Sequence, residues 1–240
     1  MNILAIGNSF SQDATRYVHA IARSMGQKWN TANLYIGGCP LEKHFRNMHT
    51  EACAYELQWN GTNTGFYVSL REALLSRSWD IITLQQASHY SAFYATYQPY
   101  LNELAAYVRS LCPKAKLYIH QTWAYEANSA KLESVAFPTP EAMFAAVEKA
   151  YDQAAADISA DGIIPSGKLM LQLSEHTPVH RDTYHASLGL GRYALGLLWF
   201  RMLTGKSVAE NSFRDLDAPA DEEEIAIVKA CVDSFAPIAR

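Results

Sequence analysis

"ILAIGNSFSQDA" (residues 3–14) opens with a run of aliphatic and small residues, then stops abruptly at a glycine, an asparagine and a serine. A short continuous apolar run of this kind suits a strand buried on both faces of a parallel sheet, here Ile3 to Ile6. The residues that follow have helical period, with Tyr17, Val18, Ile21, Ala22 and Met25 on one face and Gly26 closing the segment. A strand feeding a helix puts Ser9 beyond the carboxyl end of the strand, where open α/β sheets bind their ligands. It also puts Ser9 at a helix N-terminus, whose free N–H groups can face an oxyanion. Two plainer readings stand beside this one: Ser9 or Ser11 as a simple helix cap, and the loop as a phosphate cradle.

The same alternation continues along the chain. The second strand is expected at about Ala32 to Ile36, stopping at Gly37–Gly38, the third at "DIITLQQ" (80–86), the fourth at "KLYIHQTW" (116–123), and a short fifth in "GIIPSG" (162–167). Between them lie helical stretches: one with Leu101, Leu104, Ala105, Val108 and Leu111 on a stripe that ends at Pro113, and one capped by Thr139–Pro140 and running to about Ser159. Two further helices finish the chain, from about Ser187 to Leu203 and around Ile225, Val228, Val232 and Phe235. The acidic first turn of the last, Asp221 to Glu224, suits the helix dipole. Asn60–Gly61 within "YELQWNGTNTGFYVSL" marks a small hairpin from about Tyr55 to Tyr67 beside the main sheet. The expectation is one α/β domain over residues 1–240, a three-layer α/β/α sandwich around a five-stranded parallel sheet.

Near the other end, "HRDTYHASLGLGRYALG" sets Asp182 three residues before His185, ahead of an amphipathic helix. A carboxylate at that spacing can hold one imidazole nitrogen and leave the other to take a proton from a serine hydroxyl. Ser9, Asp182 and His185 together resemble the signature of the SGNH (GDSL-type) hydrolases, a family of esterases and acetyl-ester hydrolases. "AIGNSFS" resembles the family's first block, with Asn8 in place of the commoner aspartate; Gly38 in "YIGGCPL" matches the second block and "DTYH" the last. The resemblance implies a flavodoxin-like strand order of 2-1-3-4-5, Ser9 as nucleophile, Asp182 orienting His185 as base, and an oxyanion hole built from the N–H groups of Ser9 and Gly38. It implies no cofactor. The third block departs from the pattern: where the family places an asparagine after strand three, this chain reads "TLQQASHY". Gln86 carries the same amide chemistry and is the favoured third donor, with Gln85 and His89 as alternatives. Asn8, His89 and Trp123 are the candidate substrate contacts.

The balance of 20 Lys+Arg against 24 Asp+Glu, with no basic stripe, argues against nucleic acid as a partner. No apolar run approaches the roughly 20 residues of a membrane span, and four scattered cysteines without a C-x-x-C pair suit reduced thiols, so a cytoplasmic location is expected. A small-molecule or carbohydrate ester is the expected partner, with homo-oligomerisation open. Three rival signals stand beside this reading. "GLGRYA" (189–194) imitates a dinucleotide fingerprint but follows no strand. His176, His180 and His185, with Glu175 and Asp182, offer zinc-ligand chemistry without the spacing of a helical ligand pair, and no metal is expected. The aromatics of "HYSAFYATYQPY", with Trp123 and Tyr125, would also serve a non-catalytic carbohydrate-binding module.

Overall fold

The computed structural model of the chain describes residues 1–238. Seven strands form one sheet among these residues: β1 (Asn2–Gly7), β2 (Asn30–Tyr35), β3 (Tyr55–Trp59), β4 (Thr62–Val68), β5 (Ile81–Leu84), β6 (Lys116–His120) and β7 (Gly162–Ile164). Their order is β4-β3-β2-β1-β5-β6-β7. The stretch β2-β1-β5-β6-β7 is parallel throughout and has the expected 2-1-3-4-5 order.

The count of five strands is corrected to seven, because the hairpin does not sit beside the sheet but extends it. Strand β3 pairs antiparallel with β2, Leu34 opposite Leu57, and β4 closes the edge. Its turn is the Asn60–Gly61 pair, both at positive φ (51° and 81°), the twist that a two-residue hairpin loop needs.

Strand β1 is central, and Ile3, Leu4, Ala5 and Ile6 are at most 1% exposed. Burying each large aliphatic there contributes about 1.5–3 kcal/mol. Helices cover both faces. One group is α1 (Ser9–Thr15) and α2 (Val18–Ser24) with two C-terminal helices, Leu190–Thr204 and Glu222–Asp233; the other includes α3 (Leu41–Thr50), α4 (Leu70–Leu75) and α5 (Tyr100–Leu111). The remaining helices are α6 (Ala130–Ser134), α7 (Pro140–Asp157) and α8 (Ser166–Ser174), so the two C-terminal helices are α9 and α10.

Most helix boundaries follow their caps. The Thr139 side chain accepts from Ala142 N–H at the start of α7, and Asp221 with Glu224 forms a capping box on α10. The first helix departs from its expected continuity and breaks at Arg16–Tyr17 into α1 and α2. Thr15 Oγ1 donates back to the Ser11 carbonyl at 2.8 Å, a local bond of the kind that bends helices. The expected fifth strand is also shorter than "GIIPSG", since Ser166 already begins α8.

Candidate active site

The polypeptide turns sharply between β1 and α1. A Cβ on Gly7 would lie 2.6 Å from Ser11 Oγ, so only glycine lets the first turn of α1 come this close to the strand end. Asn8, neither Ser9 nor Ser11, is the helix cap: its side-chain oxygen accepts from Phe10 N–H at 3.0 Å, and its Nδ2 donates to the Cys39 carbonyl at 3.2 Å. Asn8 is 1% exposed and both ends of its amide are engaged, which corrects its assignment as a substrate contact. With the capping role filled by its neighbour, the Ser9 hydroxyl is free for another partner.

That partner is His185. Its Nε2 lies 2.9 Å from Ser9 Oγ, and its Nδ1 lies 2.8 Å from Asp182 Oδ2. An ionised carboxylate only accepts, so Nδ1 carries the ring proton and Nε2 accepts from the serine hydroxyl. The His185 backbone N–H also donates to Asp182 Oδ1 at 2.8 Å, closing a small loop that holds the carboxylate at the Nδ1 edge of the ring. Burial would raise the Asp182 pKa, but hydrogen bonds from the His185 ring and backbone, with the charge of Arg181, outweigh it and hold the group below its usual value. Asp182 therefore stays ionised.

The loop that presents these groups is fastened to α1. Asp13 is fully buried, one turn after Ser9, and both its oxygens accept from Arg181 Nη1 at 3.0 Å. Arg192 Nε donates to Asp13 Oδ1 at 2.8 Å and Ala186 N–H to Oδ2 at 3.2 Å. Arg181 also donates to the Ala186 carbonyl, and residues His180 and Ala186 form an antiparallel bridge across the loop. One short helix thus carries Ser9 at its start and the anchor for His185 at its middle. The sequence reading missed Asp13. Its signal was an acid on the same helical face as Phe10 and Ala14, with an arginine directly before Asp182.

Replacing Asp13 with Asn leaves Arg181 and Arg192 facing a neutral group. Breaking a buried pair in this way costs about 3 kcal/mol, at the lower end of the range because Arg192 keeps Asp217 at 2.7 Å. In a chain of this size the expected fall in Tm is roughly 6–12 °C. Thermal unfolding of Asp13→Asn checks it, and an unchanged Tm would show that the network carries no stability.

Gly38 sits in the loop after β2, in a tight turn closed by Cys39 N–H donating to the Ile36 carbonyl at 3.2 Å. Its φ of +60° is the left-handed conformation that this turn position asks of a glycine. The Asn8–Cys39 bond holds this loop against the residue preceding Ser9. Gln86 does not fit the oxyanion role expected of it. Its Oε1 accepts from the N–H groups of Leu41 (3.0 Å) and Ala87 (2.8 Å), and its Nε2 donates to the Thr96 carbonyl and hydroxyl (3.0 and 3.2 Å). At 1% exposure with both amide hydrogens used, it is a tie between loops. Gln85 is likewise buried, its Nε2 donating to His120 Nδ1 at 2.7 Å. Ser88 bonds Tyr125 and Ser91 bonds the Ser88 carbonyl. His89 is exposed, as is Tyr90 beside it. Burial, then the charge of Lys131, lowers its pKa and keeps it neutral near pH 7.

Trp123 is also corrected. It is fully buried, stacked on Phe10 with ring centres 4.1 Å apart, and its indole N–H donates to the Tyr184 carbonyl at 2.7 Å. It offers no face to a sugar and instead braces the loop from beneath. Tyr184 is the aromatic residue at the mouth, its ring 3.9 Å from that of His185. The three clustered histidines do not converge on a metal: His185 belongs to the Ser9 chain, His180 is buried with Nδ1 3.4 Å from Glu126, and His176 is exposed. Among the described residues, no group of three or more His, Cys, Asp or Glu side chains is placed to hold a metal ion.

A parallel sheet of order 2-1-3-4-5 flanked by helices is the GDSL/SGNH hydrolase fold. Residues 2–232 match the model of the DUF4886 family, a domain of unknown function, and the chain belongs to that family. The structure is similar to that of a DUF4886 family protein from Bacteroides uniformis, with 32% identity, a TM-score of 0.86, and coverage of 97% of this chain and 93% of the other. It is more distantly similar to a protein from Parabacteroides merdae described as a GDSL-like lipase (14% identity, TM-score 0.55, covering 83% and 94%). It is similar at that level to LAE5, an alpha/beta hydrolase enzyme from the metagenome of Lake Arreo, Spain (11% identity, TM-score 0.58, covering 85% and 94%). No curated protein matches the chain. No helix among the described residues is long and apolar enough to cross a membrane.

Proposed function

We propose that the chain is a serine esterase that hydrolyses acyl esters, acetyl or other short chains foremost, of a carbohydrate or small metabolite. The observation that carries this reading is the unbroken hydrogen-bonded line from Ser9 Oγ through His185 to Asp182, with both spacings under 3 Å. Ser9 Oγ attacks the ester carbonyl and its proton passes to His185 Nε2; Asp182 stabilises the imidazolium. The oxyanion is met by the N–H groups of Ser9 and Gly38, and His89 takes the third position that Gln86 cannot fill. The same proton then goes to the departing alcohol, and water, deprotonated by His185, cleaves the acyl-enzyme. The GDSL-like description of the Parabacteroides protein fits this reading.

Initial rates on p-nitrophenyl esters of increasing acyl length test it. Turnover well above the buffer rate is expected, falling as the chain lengthens. Rates equal to buffer across the whole series would oppose esterase activity.

A further inference from the structure

We infer that Lys131 makes the mouth of the Ser9 site selective for esters that carry a negative charge close to the scissile bond. This deepens the esterase reading above and rests on it.

Lys131 stands on α6, a single helical turn fixed by Ser129, whose Oγ accepts from Leu132 N–H and donates to the Glu126 carbonyl. From there Lys131 Nζ reaches to 4.4 Å from the centre of the Tyr184 ring. That ring in turn lies against His185, which bonds Ser9. The charge of Lys131 is also felt at His89, an exposed residue after β5. The ammonium therefore stands on the ring that lies against the His185 imidazole, one side chain away from the reacting hydroxyl.

What separates Lys131 from the other cations here is its partner. Arg181 and Arg192 pair with Asp13, and Arg16 with Asp217 at 2.5 Å. Lys131 has no carboxylate within 4 Å among the described residues and rests on an aromatic face instead. Asp182, the acid closest to the reaction, is committed to His185 through both oxygens. A contact of this kind positions an ammonium weakly, without neutralising it. The ammonium therefore keeps its charge over partly buried rings, where its attraction for an anion exceeds that in bulk water.

The test compares matched ester pairs on the full chain. Mono-4-nitrophenyl succinate against 4-nitrophenyl butyrate reports a charge on the acyl side. 4-Acetoxybenzoate against its methyl ester reports one on the alcohol side. In at least one pair, Lys131→Gln is expected to lower the anionic-to-neutral ratio of kcat/KM by about tenfold, mainly through KM, and Lys131→Glu by more. Lys131→Arg should restore most of the ratio, and 0.5 M salt should compress it in the wild type. A ratio unmoved by Lys131→Glu in both pairs, with neutral esters still hydrolysed, would overturn this inference and leave the esterase reading intact. If no ester is hydrolysed, the esterase reading fails and this inference falls with it.

Discussion

Ser9→Ala is expected to fold like the wild type and to lose essentially all ester turnover, by about 10⁵–10⁶-fold in kcat. The size of the effect follows from the geometry. His185 Nε2 has the Ser9 hydroxyl as its hydrogen-bond partner, and an alanine there leaves the base with nothing to deprotonate but water. Residual rate would come from the oxyanion donors alone, worth about 10³–10⁴ over water in enzymes of this chemistry. The fold should survive because the cap of α1 is Asn8 and the anchor of the His185 loop is Asp13, neither of which the substitution touches. Far-UV circular dichroism and Tm establish folding, and rates on p-nitrophenyl acetate establish the loss. A folded Ser9→Ala with wild-type rate would assign the nucleophile elsewhere.

Acid is expected to unfold the chain well before its carboxylates titrate. His44 and His120 are completely buried, and burial pushes their pKa values down from 6.5 to about 3; His180, behind the Asp182 loop, is pushed down to about 4 by the same cause. His120 shows why: it lies between Gln85 Nε2 and Ser166 Oγ with its ring edge-on to Trp199, and it has no nearby carboxylate partner to repay a charge. The native state therefore keeps these rings neutral, while the unfolded chain binds protons below about pH 6.5. Stability is whole above that pH and is lost as pH falls toward 4, levelling off near 3. Each histidine contributes a slope of about 1.4 kcal/mol per pH unit, so the three together remove roughly 4 kcal/mol between pH 7.5 and 5.5. Asp217, held low by Arg16, adds to the loss only at still lower pH. Urea unfolding at the two pH values, with m unchanged, measures this, and proton uptake on unfolding at pH 5.5 should approach three. A midpoint that does not move would mean that these histidines are protonated in the native state.

The parts of the molecule legible in the sequence are those whose signal is local. Strand β1 announces itself by four consecutive apolar residues, the hairpin by Asn60–Gly61, α7 by Thr139–Pro140, and Asp182 by its three-residue spacing to His185. The misread residues are polar side chains whose partners lie far along the chain. Asn8 bonds Cys39, Gln86 bonds Leu41, and Asp13 bonds Arg181 and Arg192; the ends of each of these bonds are 31 or more residues apart in the sequence. Helix α3 is hard to read from the sequence for a related reason. Its buried face includes His44 and Asn47, which hide the apolar stripe that Leu41 and Met48 would otherwise show. Trp123 lies just past β6, and its indole turns inward because Phe10 supplies a flat partner and Tyr184 a carbonyl.

The central claim is that Ser9 is made nucleophilic by His185, and a fluorophosphonate probe reads this directly. Intact-protein and peptide mass spectrometry of the full chain should show one adduct, on Ser9, formed rapidly in the wild type and slowed by several orders of magnitude in His185→Gln. An unmodified Ser9, or an adduct that forms equally fast without the imidazole, would contradict it.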